Sequence, residues 1–117
     1  MANISVGQRI LVGAPEVRLD PSVEEIVRQE ARKIGEIIEA HAPQMFIEGT
    51  MDRPAKVVVV VVDAVQGMSR GVELFMKRLS AQLSAKEHVD VLPVATSNPI
   101  VGPVRQSNTE IFRRNPR

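Results

Sequence analysis

Six consecutive valines, Val57 to Val62, constrain this chain more than any other feature of its 117 residues. β-Branched side chains lose rotamer freedom in a helix and pack well on a pleated surface, so the run predicts a strand. Successive strand side chains point to opposite faces of a sheet. Val57, Val59 and Val61 therefore face one side and Val58, Val60 and Val62 the other, and both sides need cover from water. The run is far short of the roughly 20 apolar residues that cross a bilayer as a helix, so no membrane span is expected.

The other elements are read around this strand. Arg9-Ile10-Leu11-Val12, closed by the turn signal Gly13-Ala14-Pro15, predicts a first strand that is also apolar on both faces. Asp20-Pro21-Ser22 predicts a helix start, with Asp20 as cap, Pro21 at the first helical position and Glu24 and Glu25 in the first turn. Val23, Ile26, Val27, Ile34, Ile37 and Ile38 form a stripe that carries this helix to about His41, before Pro43 ends it. Gln44 to Glu48 reads as a second strand and the valine run as the third. A second helix runs from near Ser69 to near Lys86, with Val72, Phe75, Met76, Leu79 and Leu83 on one face. Val89-Asp90-Val91-Leu92-Pro93-Val94 is the fourth strand, placed at an edge because proline cannot donate to a ladder.

Strand, helix, strand, strand, helix, strand predicts an α+β, ferredoxin-like βαββαβ two-layer sandwich. Its four-stranded antiparallel sheet carries two helices on one face, with the first and third strands central and the second and fourth at the edges. Residues from about 96 to 117 read as an extended irregular tail, and residues 1–117 as a single domain. With 44% hydrophobic and 25% charged residues, the chain has a globular composition rather than a disordered one. A formal net charge of +1 gives no field to recruit nucleic acid or an acidic membrane. The absence of cysteine excludes disulfides and thiolate metal sites and fits a reducing compartment. No basic segment followed by an apolar run opens the chain, so a cytoplasmic location is expected.

The residues that carry chemistry are sparse. His41 and His88 fall at predicted helix C-termini, where the dipole favours a protonated imidazole, and neither has a second ligand at helical spacing. No metal or cofactor is expected. Ser69 in Gly67-Met68-Ser69-Arg70-Gly71 matches a nucleophile-elbow spacing, but it lies well past the strand end and reads as a helix cap. Gly13 stands alone after the first strand, without the further glycines of a phosphate cradle. Asp63, at the end of the valine strand, has no carboxylate or histidine near it in sequence to make a catalytic pair. RNA binding is disfavoured because the two strands read as central carry no aromatic residue on which a base could stack. Arg105, Arg113, Arg114 and Arg117 read as a solvated terminus.

The predicted fold covers only one sheet face with helices, so the apolar second face needs a partner. A second copy of the chain, a different protein, or the tail folding back through Ile100, Val101, Ile111 and Phe112 would each serve. The first two are preferred, and the residues expected at an interface are Val58, Val60, Val62, Ile10 and Phe112. A one-residue slip exchanges the two faces of a strand, so the alternate valines are equivalent candidates.

The chain resembles the C-terminal domain of the SseB family, the bacterial enhanced-serine-sensitivity proteins. The likeness lies in Gly7-Gln8-Arg9-Ile10-Leu11-Val12-Gly13-Ala14-Pro15 followed by a long helix, and in the apolar third strand. It continues in Val89-Asp90-Val91-Leu92-Pro93-Val94 and in the ending around Phe112 and Arg113. The resemblance implies a bacterial cytoplasmic domain with no established enzymatic activity and no catalytic residues to carry over. In the usual layout of that family an N-terminal domain precedes this one. Three functions follow as expectations. The first is a non-enzymatic interaction module, homodimeric or bound to a protein partner through its sheet. The second is a small-molecule sensor of the amino-acid-binding type, with Gly13-Ala14-Pro15 as a thin version of the turn it needs. The third is an enzyme whose site is assembled across a dimer.

Overall fold

The computed structural model describes residues 10–49, 51–63, 70–83 and 89–114. Its elements are β1 (Ile10–Gly13), α1 (Pro21–Arg32), β2 (Ile37–His41), β3 (Gln44–Ile47), β4 (Ala55–Val62), α2 (Arg70–Leu83), β5 (Asp90–Ala95), α3 (Val101–Gln106) and β6 (Glu110–Arg113). The protein is α+β, with a mostly antiparallel six-stranded sheet and three helices among the described residues. Its strand order departs from the ferredoxin-like expectation. None of these helices is long and apolar enough to cross a membrane.

The largest departure follows α1. Its start is as expected: the Asp20 side chain accepts from the Ser22 amide at 2.8 Å, and Pro21 opens the helix. Val23, Val27, Glu30 and Ala31 form its buried face. The helix stops at Arg32, however, and Ile37 to His41 form a strand instead of continuing the stripe. Ile34, Ile37 and Ile38 satisfy a helical spacing, but their β-branched side chains fit a strand better. The pairing partners decide the matter, because β2 lies between β4 and β6 in antiparallel register. No glycine caps α1. One guanidinium does this work: Arg114 donates to the carbonyls of Ala31, Arg32, Ile34 and Ile37 at 2.9–3.3 Å while stacking over Phe112.

β2 and β3 are two halves of one long strand, interrupted at Ala42 and Pro43. The register against β4 runs through both halves, from His41 opposite Val59 to Gln44 opposite Lys56, and the Val57 amide donates to the Pro43 carbonyl. On the other side the partner changes at this seam: β6 pairs with β2, and β1 pairs with β3. The first strand therefore lies at an edge and not in the centre. β5 pairs in parallel with β4 over Val57 to Val62, so Pro93 does occupy an edge strand, as expected. The turn from β3 towards β4 uses Gly49 at φ 84°, a conformation that glycine adopts without steric cost.

Over its described residues the tail is not irregular, and Arg117 lies outside them. From β5 the chain crosses the second sheet face as α3, turns at Asn108 (φ 59°) and returns as β6 on the far side of β2. Two cores result. Val58, Val60 and Val62 pack with Val23, Val27, Val72, Phe75 and Leu79 of α1 and α2. Val57, Val59 and Val61 pack with Ile100, Val101 and Val104 on the opposite face. Of the tail residues expected to fold back, Ile100 and Val101 cover that second face, whereas Ile111 and Phe112 belong to the helix-side core.

Candidate functional site

The residues expected at an interface lie mostly inside the protein. Val58, Val60 and Val62 are completely buried under α1 and α2, and Phe112 is buried beside them. Ile10 is half-buried and packs against the α3-side core. The valine strand has found cover on both faces within its own chain, so those three valines cannot meet another molecule while this fold is intact. Ser69 and His88 fall outside the described residues. Asp63 is exposed, and its amide donates to the Glu36 carbonyl. Gly13 has a negative φ and open space around it, so its backbone does not require a glycine.

The polar cluster that pattern reading missed lies between β2, β6 and α3. Glu39 and His41, two apart on β2, point to one face of the sheet and are nearly inaccessible. Cross-strand pairing sets Arg113 opposite Glu39 and Glu110 opposite His41. Arg105 reaches down from α3 and holds Glu39 with both arms of its guanidinium, at 3.0 and 2.5 Å. Arg113 adds a longer contact to Glu39 at 3.5 Å and a close one to Glu110. His41 Nε2 lies 2.8 Å from Glu39 Oε1. A carboxylate only accepts, so Nε2 carries the proton and Nδ1 is left as a buried atom without a partner. Burial raises the pKa of Glu39. The hydrogen bonds from Arg105 and His41, with the charges of Arg105 and Arg113, more than offset this and bring it from 4.5 to about 2.

Donor atoms of Glu39, His41 and Glu110 lie within 4.8 Å of one another, close enough to share a cation. The charge balance argues against that use. Arg105 and Arg113 already neutralise the two carboxylates, and a divalent ion would have to displace both guanidiniums from Glu39. The cluster is better described as a lock that fastens α3 and β6 to β2. Arg105 and Arg113, read from sequence as part of a solvated terminus, are its fastenings, while Arg114 closes the end of α1. Only the pairing of two strands distant in sequence reveals it, since Glu39 and Arg105 are 66 residues apart.

A second ion-pair cluster joins the helices. Glu30 of α1 accepts from Arg78 at 2.7 Å and from Gln82 at 2.7 Å on α2, with Lys33 at 3.2 Å. The Arg78 hydrogen bond is the main cause that lowers its pKa to about 2, against the opposing effect of burial.

The open surface lies at β1. Leu11 is 52% exposed and stands opposite Phe46 of β3. A shallow concavity of about 420 Å³ surrounds this pair, lined by Val12, Gly13, Gln44, Met45 and Pro54 as well. Among the described residues the outer edge of β1 is unpaired, and it differs from the other two edges. β5 carries Pro93 and begins at the exposed Asp90. β6 has exposed charges at both ends, and its Ile111 carbonyl is taken by Arg28 at 2.9 Å. Proline, charge and covering side chains are the usual means by which a sheet edge is closed to further strands. Ile10-Leu11-Val12-Gly13 contains no proline and no charged residue. Compared with protein-family models, with curated proteins and with solved structures, the chain matches none.

Proposed function

We propose that this chain is a non-enzymatic interaction module that receives another β-strand along the outer edge of β1. The observation that carries this reading is the uncharged β1 edge, unpaired among the described residues, with Leu11 half out of water over an apolar concavity. Strand addition draws its affinity from main-chain hydrogen bonds and its selectivity from pockets for alternate side chains. Both elements are present at β1. The proposal keeps the sheet as the binding element and moves the contact from the valine face to the edge. The resemblance to the SseB C-terminal domain agrees with it, since that family has no established enzymatic activity, and we retain it as the proposed kinship.

A photo-cross-linkable residue in place of Leu11 tests the reading in the cells that make the protein. Adducts whose cross-linked peptide maps to a strand-forming segment are expected, with none from the same residue at Val17, which is 72% exposed but outside the strand. No adduct at Leu11 would sink the module.

The amino-acid sensor draws on the same concavity, which does abut Gly13. Its lining carries no charged side chain to oppose either charge of a zwitterion. A thermal-shift series with the common amino acids at millimolar concentration is expected to leave the melting temperature unchanged. A shift of several degrees with one of them would overturn this and favour the sensor.

A further inference from the structure

We infer that the strand β1 receives is β1 of a second copy, paired antiparallel about a two-fold axis at Leu11. This rests on the interaction-module reading and adds the identity of the partner.

A two-fold axis perpendicular to the sheet returns each face to itself, and directly opposed residues of an antiparallel pair lie on the same face. Leu11 must therefore oppose a residue of its own parity in the second copy. An axis at Leu11 sets Leu11 against Leu11 and Ile10 against Val12. An axis at Val12 instead sets Leu11 against Gly13 and leaves it without an apolar side chain opposite it in the second copy. The Leu11 register is the one that buries the exposed side chain.

The existing pairs extend this register on both faces. Leu11 is already opposite Phe46, so the axis at Leu11 creates an unbroken row of Phe46, Leu11 and their two symmetry mates. On the other face, Ile10 opposite Ile47 and Val12 opposite Met45 generate two rows of four apolar residues. Cross-strand apolar and aromatic pairs are the units that stabilise a sheet. β1 itself contains no charged residue, so the opposed pairs Leu11 with Leu11 and Ile10 with Val12 set no like charges against one another. The same pairing is closed to β5 by Pro93, and β6 holds its carbonyl and its charges in contacts with its own chain.

The absence of cysteine makes a direct test possible. Leu11→Cys places one thiol of each copy at the axis, where directly opposed residues have Cβ atoms about 4.5–5.5 Å apart, close enough for a disulfide after a small adjustment. With oxidised glutathione as acceptor of the two electrons and two protons, rapid conversion to a covalent dimer is expected. Val17→Cys, treated identically, should stay monomeric. Wild-type protein should double its solution mass as concentration rises, and Leu11→Lys, which opposes two cations at the axis, should abolish that doubling with an unchanged circular dichroism spectrum.

A wild type that remains monomeric at every concentration, or equal cross-linking at positions 11 and 17, would overturn the second copy as partner. The interaction module would survive that outcome if the photo-cross-linker at position 11 still returned adducts with a different protein. It would fall with the inference if no adducts formed at all.

Discussion

Val60→Glu is expected to unfold the protein. Val60 is fully buried at the middle of the central strand, opposite Ala40 on β2 and Pro93 on β5. A carboxylate there would enter the apolar core beneath α1 and α2, among Val27, Val72, Phe75 and Leu79. Substitutions that bury an unpaired charge cost about 4–5 kcal/mol or more. A domain of this size has only about 5–15 kcal/mol in all. Urea unfolding followed by circular dichroism should find Val60→Glu unfolded or nearly so without denaturant. Leu11→Glu introduces the same group at a half-exposed site and should stay within about 0.5 kcal/mol of wild type at concentrations where the protein is monomeric. A folded Val60→Glu protein would contradict the placement of β4 at the centre of the sheet.

The second large effect lies at Glu39. Removing it as Glu39→Ala takes away the acceptor for Arg105, Arg113 and His41 together, and leaves both ring nitrogens of a buried imidazole without partners. The two arginines are about half exposed and can turn to water, which limits the loss. A cost of about 2–3 kcal/mol is expected at neutral pH. Its pH dependence has a definite sign. The folded-state pKa of Glu39, about 2, lies below the ordinary 4.5. The stabilisation is therefore fully present above about pH 4.5 and is lost as pH falls towards 2. The gap between wild type and Glu39→Ala should narrow over that window. Glu30 is lowered to about 2 as well, so both proteins should still lose stability there, the variant less steeply. Chemical denaturation at pH 7, 4 and 2.5 measures the difference. A gap that stayed constant with pH would remove Glu39 from the ion-pair lock.

The physical reason for the helix that ended early is instructive. Ile34, Ile37 and Ile38 are compatible with a helix by spacing and with a strand by side-chain shape, and local pattern cannot rank the two. The choice was made by β4 and β6, which offered β2 a ladder on each side. The same holds for the tail. Ser, Asn, Pro and Gly between residues 96 and 108 look like a loop, yet Val101 and Val104 are the lid that the valine face required. His41 moved from a helix end to a buried strand position for the same reason, and there it met Glu39.

By itself the sequence determined the elements that local chemistry can specify: the Asp20 cap, the buried stripe of α2, the proline edge of β5 and the central valine strand. It also determined that both faces of that strand would be buried, because six β-branched side chains in a row leave no face for water. Only the tertiary structure decided what buries them. It brought β1 to an edge, drew α3 across the second face and set arginines from the C-terminal segment against a carboxylate on β2. Those choices depend on contacts between residues far apart in the chain, whose energies appear only when the strands pair and the helices close over them.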